Sequence, residues 1–144
     1  MLRRNLVILT SCLLVIAGIA MLIWPKYKLE LGLRTTKEVF DLGAGKPGGK
    51  LESSARIWNM SLSPVRIDEI RACCGSTAGF HNGKKSMTLP PFGSALVDVS
   101  ILVSPQTEKQ IKSIEIDISK GKEKSFTWLM FQYSSADKST PNRT

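Results

Sequence analysis

Two rhythms of apolar residues divide this chain. Residues 6–24, beginning at Leu6 and ending at Trp24, read LVILTSCLLVIAGIAMLIW, 19 positions without a charge. At about 1.5 Å per residue, a helix of that length covers roughly 28 Å, near the hydrocarbon thickness of a bilayer. Arg3 and Arg4 precede the run, and Pro25, Lys26, Tyr27 and Lys28 follow it, a helix stop among basic and aromatic anchors of headgroup type. The pattern predicts a cytoplasmic stub over 1–5, a transmembrane anchor over 6–24 and an exported C-terminal part. A cleaved signal peptide competes through Gly18-Ile19-Ala20, and a lipid-modified cysteine through Leu9-Thr10-Ser11-Cys12. The apolar run continues through Met21, Leu22, Ile23 and Trp24, and no polar linker follows Cys12. Both features favour a retained anchor in which Cys12 is an inert apolar residue.

After the anchor the period changes to two. Ala95, Val97, Val99, Ile101 and Val103 share one parity, with Asp98 and Ser100 on the other. Ile114, Ile116 and Ile118 alternate with Glu115, Asp117 and Ser119, and Leu51, Ala55 and Ile57 with Glu52, Ser54 and Arg56. Each reads as a strand with one buried face. Val65 and Ile67 start another, whose parity breaks at Asp68-Glu69-Ile70, a bulge signature. Residues 126–133 (FTWLMFQY) are apolar or aromatic on both parities, so they read as a central strand or as a cover for another sheet. Turn clusters lie between these runs at 43–49, 61–64, 81–84, 90–93 and 120–122. The expected architecture is all-β: an immunoglobulin-like antiparallel β-sandwich of about seven strands over 37–133, preceded by one N-terminal transmembrane helix. Residues 25–36 read as a linker and 134–144 as a disordered tail.

Composition changes this picture little. The 144 residues carry a formal charge of +8, scattered along the chain and interrupted by carboxylates. Nucleic-acid binding calls for a concentrated basic stripe or a known motif, and the sequence has neither. Three cysteines do not form a disulfide framework, and Cys12 belongs to the anchor.

One order of short motifs stands out. Phe40-Asp41-Leu42-Gly43 opens the domain, and Asn59-Met60-Ser61-Leu62-Ser63-Pro64-Val65-Arg66-Ile67 follows a strand. Next come Cys73-Cys74-Gly75-Ser76-Thr77, and then Leu89-Pro90-Pro91-Phe92-Gly93 before a long strand. This order resembles the bacterial domain-of-unknown-function family fifteen seventy-three. Its members carry an Asn-x-Gly/Ser-x-x-Pro-Leu-x-Ile segment, then Cys-Gly-Cys-Thr, then a Pro-Gly turn. The resemblance implies an immunoglobulin-like fold, related to pilus-chaperone and major-sperm-protein modules, in an exported or membrane-attached setting. This chain departs from it at the cysteines: Ser76 stands where the second cysteine belongs, and Cys73 is extra.

Cys73 and Cys74 leave three readings open: a vicinal disulfide, a soft-metal site, or a structural role, buried or capping a strand end. His81 alone would leave a tetrahedral metal site one ligand short. No catalytic pattern emerges. Ser76 lacks a nucleophile elbow, the aspartates lie singly, and the 43–49 glycines precede a strand. Asn59-Met60-Ser61 and Asn142-Arg143-Thr144 match a glycosylation triplet. Trp58, Phe126, Trp128 and Phe131 could line a groove, but packing in the core is the first expectation. The leading expectation is a membrane-anchored envelope protein, with no cofactor and no enzymatic activity. Its exported domain is structural or binds a partner in the envelope by edge-strand pairing. The alternative is a thiol redox or metal-handling protein using Cys73 and Cys74.

Overall fold

The computed structural model describes residues 2–106 and 108–136, and within the first helix the side chains of Ile8 and of residues 10–19. That helix, α1 (Leu2–Ile23), begins inside the segment expected as a stub and ends one residue before Trp24. Leu13, Leu14, Val15 and Ile16 are exposed on it. Among the described residues, no helix is long and apolar enough to cross a membrane.

Among the described residues ten strands follow: β1 (Tyr27–Lys28), β2 (Leu33–Thr35), β3 (Val39–Gly45), β4 (Lys50–Asn59), β5 (Val65–Ala72), β6 (Ser76–Phe80), β7 (Met87–Leu89), β8 (Ser94–Leu102), β9 (Gln110–Lys120) and β10 (Glu123–Ser135). They form two five-stranded sheets, ordered β1-β2-β4-β8-β6 and β3-β10-β9-β5-β7, which face each other as a β-sandwich. The parity read from sequence sets the core. Ala55, Ile57, Val97, Val99, Ile101, Ile114, Ile116 and Ile118 all point inward and are buried. The predicted bulge lies in β5, where the register against β9 shifts between Ile67 and Glu69.

Three expectations need correction. Residues 25–36 are not a linker. Leu33 and Thr35 are buried, β2 pairs with β4 through Leu33–Asn59 and Thr35–Ile57, and Glu30–Gly32 form a 3-10 turn between β1 and β2. The physical reason is a second alternation, in which Leu29, Leu31, Leu33 and Thr35 share one parity and turn toward the core. The sandwich is also not wholly antiparallel, because β3 runs parallel to β10. Finally, β10 extends through Ser135, and the Ala136 amide donates to the Gly45 carbonyl at 2.7 Å. Residues 137–144 of the expected tail lie outside the described residues.

Asn59 ties one end of the sandwich together. Its Nδ2 donates to the carbonyls of Ser63, Leu89 and Pro90 at 2.8, 3.0 and 3.1 Å, and its Oδ1 accepts from the Ser61 amide and hydroxyl at 3.0 and 2.7 Å. These bonds join the end of β4 to the turn that follows it and to the end of β7, 30 residues further along the chain. With 0% of its surface exposed, Asn59 serves the fold and is inaccessible as a glycosylation acceptor.

Candidate functional site

Cys73 and Cys74 occupy the corner where the chain leaves β5 for β6 in the other sheet. The Ser76 amide donates to the Cys73 carbonyl at 3.0 Å, closing a turn whose third residue, Gly75, has φ 74°. That backbone conformation favours glycine. Both thiols are free and exposed, so of the two structural readings burial does not hold and capping a strand end remains. The Cys73 backbone closes the strand end, and its Sγ lies 3.9 Å from the Ser76 hydroxyl. Among the described residues, no group of three or more His, Cys, Asp or Glu could hold a metal ion.

His81 has a different partner. Its Nδ1 stands 2.6 Å from Asp98 Oδ2, and the Ser54 hydroxyl donates to Asp98 Oδ1 at 2.6 Å. The Ser54 bond first, and the His81 bond after it, hold the Asp98 carboxyl below the usual carboxylate range. The three side chains line an open recess of 630 Å³ on the outer face of β4, β8 and β6. The order of bonds rules out a serine triad, because the Ser54 hydroxyl faces the carboxylate instead of the imidazole that would have to activate it.

The aromatic residues divide between the core and the surface. Phe131 is buried and stacks on Phe40 with ring centroids 5.2 Å apart. Trp58 is only half-buried. Phe126 and Trp128 are 55% and 45% exposed, which corrects their assignment to the core. They meet edge to face at 5.8 Å on the outer surface of β10. Thr127, Leu129, Phe131 and Tyr133 take the inward parity instead. Opposite the two rings, Trp128 pairs with Glu115 and Phe126 with Asp117 on β9. Both carboxylates bond the Arg71 guanidinium, as Glu69 does at 3.8 Å. The Glu115 bond is the largest of the effects that raise the Arg71 pKa above its ordinary value.

The sheet edges distinguish this domain most clearly. On one side β10 is paired with β9 along 123–133. On the other side β3 covers only residues 130–135, so among the described residues no strand pairs with 123–129 of β10 there. The phase of this open edge follows from the β9–β10 hairpin. Lys120 pairs with Glu123 across a two-residue loop whose first residue, Gly121, has φ 62°. In such a hairpin the closing pair is hydrogen-bonded, and bonded pairs then alternate along the ladder. Glu123, Ser125, Thr127 and Leu129 therefore direct their backbone groups to β9. Lys124, Phe126 and Trp128 direct theirs away from it, into the open side. A groove of 400 Å³ lies at the Trp128 end of this edge, lined by Tyr27, Lys28, Leu29, Lys37, Glu38 and Trp128 among others. This edge was hidden in the sequence because Phe126 and Trp128 look like core residues; the hairpin register was the signal that places them outside.

No protein-family model matches the chain, and no curated protein matches it. Solved structures do share its fold. PapD-like domain 7 of human CEP192 matches with TM-score 0.54 at 13% identity, covering 75% of this chain and 87% of that one. The CupB2 chaperone of Pseudomonas aeruginosa matches with TM-score 0.55 at 11% identity, covering 73% of this chain and 57% of the chaperone. The VesB protease of Vibrio cholerae matches with TM-score 0.57 at 15% identity, and there the match covers 72% of this chain but only 32% of the protease. The domain is thus similar in architecture to PapD-like and immunoglobulin-like sandwiches.

Proposed function

We propose that this chain is a membrane-tethered envelope protein whose immunoglobulin-like domain binds an extended protein strand along the open edge of β10. The observation that carries the reading is the row of outward backbone groups at Lys124, Phe126 and Trp128, with a groove at the Trp128 end. A strand added to such an edge gains main-chain hydrogen bonds, and the flanking side chains select its sequence. A long unpaired edge left without a partner is an aggregation hazard. Here it is bordered by Lys28, Lys37 and Lys124, the charges that discourage indiscriminate pairing. Solved chaperones with this architecture accord with a role in contacting other proteins.

The tether is the uncharged run over 6–24, with the domain on the far side of the bilayer from Arg3 and Arg4. Only Trp24, Pro25 and Lys26 separate α1 from β1, so the domain is held close to the bilayer surface. The resemblance to family fifteen seventy-three fits this setting. A photoreactive benzophenone residue at Lys37, inside the groove, tests the reading in membranes of cells making the full chain. Adducts from position 37, and none from Leu102 on the outer face of the other sheet, support it. Adducts from Leu102 alone, or from neither position, refute it. Carbonate extraction tests the tether: the full chain stays with the membrane, whereas a chain lacking 2–24 is released.

A further inference from the structure

We infer that the strand taken by the open edge of β10 is the same segment of a second copy of this chain. The inference rests on the edge-binding reading and adds the identity of the partner. Residues 124–128 read Lys-Ser-Phe-Thr-Trp. Laid antiparallel on itself with Phe126 at the two-fold axis, this segment is complementary at every position. Lys124 falls opposite Trp128 of the second copy, Phe126 opposite Phe126, and Ser125 opposite Thr127. The first pair sets an ammonium against an indole, the second sets two rings together, and the third sets two hydroxyls together. Each is a favourable cross-strand pair, and Glu38 in the groove beside Trp128 offsets Lys28 and Lys37 where Lys124 of the second copy arrives.

The backbone phase agrees. Lys124, Phe126 and Trp128 are the residues whose N–H and C=O groups face the open side, so this register makes roughly six main-chain hydrogen bonds across the axis. A register moved by one residue would set outward-facing groups against groups already bonded to β9. The pairing stops where β3 begins. Beyond Leu129 the place beside β10 is held by Val39 of β3, opposite Met130, so the ribbon ends at the pair of Leu129 with Glu123 of the second copy. The result joins two β3-β10-β9-β5-β7 sheets through their β10 strands. Tyr27 lines the same groove as Trp128, so both α1 exits lie beside the axis. In the proposed function both copies are tethered in one bilayer through residues 6–24. Confinement to that bilayer raises the effective concentration of the two edges.

Disulfide trapping on the full chain in membranes, with Cys12, Cys73 and Cys74 replaced by serine, tests the register. Residues in a hydrogen-bonded antiparallel pair have Cα atoms about 5.5 Å apart, within disulfide range. Under a copper-phenanthroline oxidant, Phe126→Cys is expected to give a covalent dimer. Lys124→Cys and Trp128→Cys are each expected to stay monomeric alone and to cross-link when co-expressed. Ala78→Cys, on the β6 edge, is expected to stay monomeric. Phe126→Cys that remains monomeric while its thermal unfolding matches the parent overturns the inference. So does cross-linking of Lys124→Cys to itself. The benzophenone adduct from position 37 separates the two claims. An adduct of twice 15.9 kDa supports the second copy. An adduct of another mass overturns the second copy and leaves edge binding standing. No adduct overturns both.

Discussion

Replacing Asn59 by alanine tests how the turn end of the sandwich is held. The side chain makes five hydrogen bonds: three from Nδ2 to carbonyls and two received by Oδ1 from Ser61. The bond to the Leu89 carbonyl is buried, and the others are partly buried. Leaving a buried carbonyl without its donor costs about 2 kcal/mol, and each bond that water can replace costs about 0.5 kcal/mol. Together these predict a loss of roughly 4 kcal/mol. For a domain of this size that is a fall of roughly 15 °C in Tm. Thermal unfolding of the full chain in detergent, followed by tryptophan fluorescence, measures it. Ser61→Ala removes only the hydroxyl partner and should cost about 1 kcal/mol. A loss below 1 kcal/mol for Asn59→Ala would refute the reasoning, because water or the backbone would then be satisfying these groups without the side chain.

Four further outcomes follow from the geometry. Gly45→Ala places a methyl 2.6 Å from Val103 Cγ2 and 3.0 Å from Leu51 Cγ, so a loss of about 1–3 kcal/mol in denaturant unfolding is expected. Tyr133→Phe removes a buried hydroxyl for which no partner is found among the described residues; stability should stay the same or rise, and a clear loss would reveal a missed bond. Ser54→Ala removes the largest cause of the low Asp98 pKa, so an NMR titration should show that pKa moving up toward the ordinary carboxylate range. The matching stability is present above that range and lost as pH falls through the folded-state value of Asp98; removing the Ser54 hydroxyl therefore makes the domain slightly less sensitive to acid. Cys73 and Cys74 should both react with maleimide in the folded chain as fast as in the unfolded one; protection of either would contradict their exposed positions.

The strand cores were legible because one face is apolar and the other polar, as at Val97 and Asp98 or Ile116 and Asp117. The bulge in β5 was legible for the same reason, since an extra residue flips the parity. Residues 27–35 were misread although Leu29, Leu31, Leu33 and Thr35 alternate, because Gly32 and the 3-10 turn break the run into pieces of two and three residues. Parity alone could not place Phe126 and Trp128, since both faces of β10 carry apolar residues. The hairpin could have placed them: Ile114, Ile116 and Ile118 are inward, and pairing Lys120 with Glu123 puts Leu129, Thr127 and Ser125 on their face. The parallel β3–β10 pair, which leaves the candidate edge uncovered, is a long-range pairing that no local pattern encodes.

Amide hydrogen exchange of the full chain in its own membrane tests the open-edge account most directly. In the detergent-dispersed monomer, the Phe126 and Trp128 amides should exchange rapidly, while those of Ser125 and Thr127, bonded to β9, stay protected. In the membrane the account predicts that Phe126 and Trp128 become protected together, with the Ala78 amide on the β6 edge unchanged. Equal, rapid exchange at Phe126 and Trp128 in both states would contradict it.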